Sequence, residues 1–202
     1  MKITALKAQV KNSERVSVFV DSKYTFSLTI NEVLAYKLKK DLELSAIDVE
    51  TYKKLSADGK LRAMTYEWLM GRPHSTKELK DYLYKKKTDS DLQAKLIAEF
   101  TQKGVLNDEH FAQWANERYA RKNKSKQANK RELQLKGIDG STIQAVLEQD
   151  NTSDKDHLDA LIIKLQGRSR YADPQKLTAY LVSKGFYYDD IKTALAAMRS
   201  QA

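Results

Sequence analysis

Between Arg118 and Lys136 the chain sets eight cations, Arg118, Arg121, Lys122, Lys124, Lys126, Lys130, Arg131 and Lys136, against one acid, Glu132. That is a local charge of +7 in nineteen residues, out of +9 for all 202. Cations at this density repel one another, and a connection that carries them cannot be buried core. The chemistry open to them is attraction of an anion, either phosphate or the acidic surface of a partner. Arg72 upstream and Arg168 and Arg170 downstream join them as candidate contacts.

Other chemistries find no residues to carry them. The sequence has no cysteine, which excludes disulfides and thiolate catalysis. His74, His110 and His157 are scattered, without HxxxH or HExxH spacing, so no metal is expected. Asp108-Glu109-His110 resembles a ligand cluster, but it reads better as a helix start. Asn107 or Asp108 would cap it, with acids complementing the dipole. Asp189-Asp190 before Ile191 reads the same way. There are seven glycines but no GxxxxGK[ST] or GxGxxG turn, and no serine sits in a nucleophile elbow. A non-enzyme without cofactor is the expectation. Phe111, Trp114 and Tyr119, and Tyr187-Tyr188, are the stacking candidates for nucleic-acid bases, though helical spacing favours packing between helices. Neither an apolar signal core nor a run of ~20 apolar residues is present, which implies a soluble, cytoplasmic, non-membrane protein.

The elements that must position the basic run are mostly helical. Only the first thirty residues read as strands: Lys2–Val10, then Arg15–Asp21 and Tyr24–Ile30, the last two forming a hairpin across Ser22-Lys23. Asn31 would cap a short helix to about Lys39, and Ser45 another to about Leu55. From Lys60 the apolar period is helical throughout. Ser75 with Glu78 three residues on forms a capping box. The decisive feature is repetition around Leu83, Leu133 and Leu181. Eight residues before each anchor stands a capping type (Ser75, Ser125, Asp173). Three and four after come Lys86-Lys87, Lys136-Gly137 and Lys184-Gly185. The reading is a mostly α, elongated array of three tandem three-helix repeats (60–100, 101–150, 151–202), behind a β-hairpin-containing extension over 1–59.

These residues resemble a known family. Arg72-Pro-His-Ser-x-x-Glu-Leu79-x-x-x-Leu83, Lys103-Gly-Val-Leu-Asn-Asp108-x-x-Phe-Ala112, Arg118, Glu132-Leu-x-x-Lys-Gly-Ile138 and Leu181-x-x-Lys-Gly-Phe186 are similar to the RecX regulatory proteins, over roughly residues 60–198. The N-terminal strands are a weaker match, to an extension of longer members. The resemblance implies tandem three-helix repeats and a non-enzymatic protein acting in recombination and repair. It would lie in the groove of the RecA recombinase filament on single-stranded DNA and suppress ATPase, strand-exchange and co-protease activities. A monomer is expected, with single- or double-stranded DNA as a further partner. An autonomous nucleic-acid-binding helical-repeat module is the alternative. Three positions depart from the family pattern: His74 for Arg, Lys87 for Gly, and Asn129 for an aliphatic residue. The last predicts a looser middle helix or a polar contact.

Overall fold

The computed structural model describes residues 1–10, 12–149 and 153–199. The chain divides into two units, Met1–Gly71 and Arg72–Ala202.

In the first unit, β1 (Ile3–Ala8), β2 (Arg15–Val20) and β3 (Lys23–Thr29) form an antiparallel sheet in the order β1-β2-β3. The β2–β3 turn is Asp21-Ser22, not Ser22-Lys23. Both residues have positive φ, 47° and 67°, the backbone of a tight primed turn that matches strand twist. No glycine is needed because the neighbouring strand holds the turn: Lys2 N donates to Asp21 Oδ1 and Ser22 N donates to Thr4 Oγ1, each at 2.9 Å. Helix α1 (Ile30–Ala35) is capped by Thr29, not Asn31, in a reciprocal box with Glu32.

Helix α2 runs unbroken from Ala46 to Met70, so the two helices expected on either side of residue 59 are one. Ser56-Ala-Asp-Gly59 reads as a breaker, but tertiary contacts override that local preference. Ser56 Oγ accepts from Ser27 N at 3.1 Å, covering the free edge of β3. Arg15, 8% exposed, donates to Ser27 O at 2.6 Å. A Cβ on Gly59 would stand 3.2 Å from the Arg15 guanidinium. Glycine here makes room for that arginine between sheet and helix. Val18, Val20, Phe26, Leu28 and Val49 supply the apolar core beside it.

The second unit is helical. It opens with α3 (Thr76–Lys85) and α4 (Ser90–Gln102), followed by α5 (Asp108–Ala120), α6 (Lys126–Leu135) and α7 (Gly140–Glu148). Then come α8 (Asp154–Leu165), a 3-10 turn (Ser169–Tyr171), α9 (Pro174–Ser183) and α10 (Tyr188–Arg199). The α5–α7 bundle packs around Phe111, Ala115, Leu133, Ile138 and Ile143. The α8–α10 bundle packs around Leu158, Ile162, Leu165, Leu181 and Ile191. All three anchors, Leu83, Leu133 and Leu181, are fully buried. Among the described residues no helix is long and apolar enough to cross a membrane.

The repeated serines and Lys-Gly ends turn out to be two halves of one joint, made twice. In the first, Ser75 Oγ donates to Lys136 O at 2.8 Å and Thr76 N donates to Asp108 Oδ1 at 2.7 Å. In the second, Ser125 Oγ donates to Gly185 O and Lys126 N donates to Asp154 Oδ1, both at 2.7 Å. Each serine also caps its own helix. The aspartate is the first residue of the next bundle's first helix and satisfies an amide that every helix start leaves open. Thus Asn107 caps α5, while Asp108 serves the joint.

Asn129 makes the polar contact. It is fully buried where Leu79 and Leu177 stand in the other copies, and its Nδ2 donates to Asn116 Oδ1 at 3.2 Å. Asn129 Oδ1 has no partner among the described residues. Asn116 in turn occupies the place of the buried Ile162 in α8. Replacing one amide strands the other, whereas replacing both restores an aliphatic core. Asn129→Leu alone is therefore expected to cost about 1–3 kcal/mol, and Asn116→Ile with Asn129→Leu to recover most of it. Urea unfolding of the two singles and the double, run as a cycle, checks this; additive losses would rule the coupled pair out.

Candidate anion-binding face

The basic run lies at the α5–α6 connection, where Asn123 takes a left-handed φ of 51° to turn the chain. Its cations divide into two groups. Arg72 and Lys136 both bind Glu78, at 2.9 and 2.7 Å, and the Glu78 side chain is only 12% exposed. Of the expected capping box, therefore, only the serine half forms: Ser75 accepts from Glu78 N, while the Glu78 carboxylate goes to two cations. Burial pushes this carboxyl up, but the hydrogen bonds and charges of Arg72 and Lys136 outweigh it and hold it below the usual carboxylate range. The bridge therefore contributes fully above that range and is lost only as pH falls through the lowered value.

Trp114, half-buried against Phe111, carries the guanidiniums of Arg72 and Arg118 over its ring at 5.4 and 5.3 Å. Lys124 pairs with Glu132 at 2.7 Å and lies 5.0 Å from the Tyr119 ring centre. Lys126 Nζ reaches Leu147 O at 3.3 Å. Arg72, Arg118, Lys124, Lys126 and Lys136 are thus engaged within the protein. So are the rings of Trp114 and Tyr119, which are packed and covered by cations and offer no open platform for a base. Tyr187 and Tyr188 are exposed, at 60% and 62%.

Arg121, Lys122, Lys130 and Arg131 form the other group. They are exposed, and among the described residues their side chains make no ion pair or hydrogen bond. Arg121 and Lys122 leave the end of α5; Lys130 and Arg131 stand on α6 away from its buried Asn129 and Leu133. Lys184, which sequence reasoning missed as a contact, lies beside them but is engaged. It crosses the second joint to place Nζ 3.3 Å from Lys122 O and lies over Tyr180 at 5.1 Å. The available signal was its place in the Lys-Gly repeat, where Lys136 had been chosen. Arg168 immediately precedes the 3-10 turn and Arg170 lies within it, over Tyr171 at 5.7 Å. No interaction among the described residues joins them to the connection. Nor does any group of three or more His, Cys, Asp or Glu there have the placement to hold a metal ion.

The arrangement suits exchange of counterions for a polyanion. A family model described as the regulatory protein RecX N-terminal domain matches residues 1–45, and one for the RecX second three-helix domain matches 107–147. Regulatory protein RecX of Bacillus subtilis (strain 168) is 33% identical over 201 residues, spanning 96% of this chain and 75% of that protein. The chain belongs to the RecX family. The RecX protein of Listeria monocytogenes serotype 4a is 27% identical over the whole chain and 77% of its own length. A crystal structure of regulatory protein RecX superposes with TM-score 0.68 at 21% identity, over 95% of this chain and 98% of that one. RecX from Lactobacillus salivarius gives 0.53 at 22%, over 70% and 96%. The N-terminal strands, read above as a weaker match, thus lie within the match to the RecX N-terminal domain, and the basic connection lies within the match to the second three-helix domain.

Proposed function

We propose that this protein binds the RecA-type recombinase filament on single-stranded DNA and lowers its ATPase, strand-exchange and co-protease activities. It acts as a monomer, through the face that carries Arg121, Lys122, Lys130 and Arg131. The observation that carries this reading is the division of the basic run. Four of its eight cations, and Arg72 beside them, are engaged inside the protein, whereas the other four are left in solvent within a RecX three-helix domain. Uncompensated like charges held together destabilise a chain slightly, and binding a polyanion relieves them. Because the nearby Trp114 and Tyr119 are covered, recognition rests on charge, either phosphate or acidic side chains, and not on base stacking.

The test adds the protein to recombinase assembled on single-stranded DNA, below one copy per recombinase subunit. DNA-dependent ATP hydrolysis and strand exchange should both fall. Unchanged hydrolysis at several-fold excess overturns the reading, and equal affinity for bare DNA and for the filament points instead to an autonomous DNA-binding module.

A further inference from the structure

A second surface carries the opposite sign. In the third bundle, α8 and α10 border a groove of about 480 Å³. Its floor is Leu158 and Phe186, 1% and 5% exposed, with Ala197 and Met198 along one side. Ile163 stands at its rim with 62% of its surface in solvent. The groove's acids are Asp154, Asp159 and Asp190, against Lys155. Asp154 belongs to the second joint. Asp159 and Asp190 make no side-chain ion pair or hydrogen bond among the described residues.

The preceding bundle shows that the fold does not demand this lining. Aligning the first residues of α5 and α8, Asp108 and Asp154, sets Gln113 against Asp159 and Glu117 against Ile163. Aligning the buried Ile143 and Ile191 sets Gln149 against Ala197. The corresponding α5–α7 groove, about 510 Å³, is lined by Gln113, Asn116, Glu117 and Gln149, with His157 reaching in from the next bundle. Where one copy carries a solvated carboxylate, the other leaves an isoleucine in water. Packing does not force that exposure, so a partner is the natural account of it.

We propose that the α8–α10 groove docks a basic, aliphatic-bearing segment of the recombinase protein, an inference that rests on the function proposed above. The argument is charge complementarity. A protein that holds single-stranded DNA presents lysines and arginines to phosphate, so a nucleoprotein filament offers surfaces of both signs. Its anionic parts suit Arg121, Lys122, Lys130 and Arg131. A basic segment with one aliphatic anchor suits the groove, covering Ile163 and Met198 while its cations meet Asp159 and Asp190.

The test transplants the second bundle's residues into the third: Asp159→Gln, Ile163→Glu and Ala197→Gln. Each incoming residue already stands at the matching position of α5 or α7, so the bundle should fold. Affinities for the filament, for recombinase without DNA, and for bare single-stranded DNA are measured at one salt concentration. The transplant should weaken binding to both recombinase forms at least tenfold and leave bare DNA unchanged. Asp159→Asn with Asp190→Asn, which alters charge alone, should fall between. If the parent protein does not bind the filament, the proposed function itself fails. If the parent binds and the transplant binds equally, only the groove assignment fails. Sedimentation supplies the remaining outcome: a parent dimer that the transplant dissociates would make the occupant a second copy of this chain and overturn the proposal.

Discussion

Charge reversal at Arg121, Lys122, Lys130 and Arg131, each to Glu, is expected to weaken filament binding by about two orders of magnitude or more, and to flatten its salt dependence by about three log units per log unit of salt. The four side chains are exposed and, among the described residues, make no ion pair or hydrogen bond, so stability should hold, and relief of their mutual repulsion should if anything raise the unfolding midpoint. Their neighbours are the contrast. Lys124→Glu would face Glu132 across the present 2.7 Å bridge and uncover Tyr119. Lys136→Glu would oppose the half-buried carboxylate of Glu78. Those variants should lose thermal stability as well as binding. Affinity against salt, with a urea midpoint for each protein, separates the groups. A quadruple variant that binds like the parent, or binding without salt dependence, would leave the exposed cations as a solvated face.

That division of the cations was beyond the sequence, and the reason is physical. Count and spacing reveal local density, but pairing is decided by residues far along the chain. Glu78 meets Lys136 only because the first joint brings α3 onto the end of α6. Periodicity sufficed for the helical second unit and its anchors because an amphipathic stripe repeats locally. The joints themselves were half legible: Ser75 and Ser125 read as caps, and Lys136-Gly137 and Lys184-Gly185 as helix ends, with nothing to say that cap and end meet. Local preference also misled at Ser56–Gly59, where contacts with Ser27 and Arg15 keep α2 whole. Asp21-Ser22 escaped notice because hydrogen bonds with the Lys2 amide and the Thr4 hydroxyl, not glycine, hold the turn.

The joints make a graded prediction from three glycines of positive φ. Gly104, at 69°, has open space where a Cβ would be. Gly104→Ala should therefore cost only the left-handed dihedral, about 1–2 kcal/mol. Gly137, at 78°, would place a Cβ 2.9 Å from Lys77 Cβ. Gly185, at 93°, would place one 2.5 Å from Ala128 Cβ and 2.7 Å from Ser125 Oγ. Both the departure from the ordinary left-handed well near ~57° and the overlap grow in that order. The nearest obstacle at Gly137 and at Gly185 is a Cβ, fixed to its backbone, so α6 or α9 must move. Lys87, the first copy's counterpart, is exposed and has a φ of 56°. A side chain is tolerated there because it lies inside the well and away from either joint. Gly185→Ala should thus be the costliest of the three and should open the hydrogen bonds of Ser125 and Lys126. Amide exchange is then expected to rise across α8–α10 while the core of the second bundle stays protected. A flexible hinge near Asp150-Asn-Thr-Ser153 would uncouple these bundles; residues 150–152 lie outside the described residues, and the joint is the contact on which coupling rests. If the two bundles grip neighbouring recombinase subunits, uncoupling them removes the effective concentration that the first contact lends the second. Gly185→Ala should then weaken filament binding far more than binding to one isolated recombinase subunit. Unfolding of the three variants ranks the costs, and paired affinities test the bridging. Equal costs at the three positions would refute the close-packed joints, and equal losses for subunit and filament would leave a single-site binder.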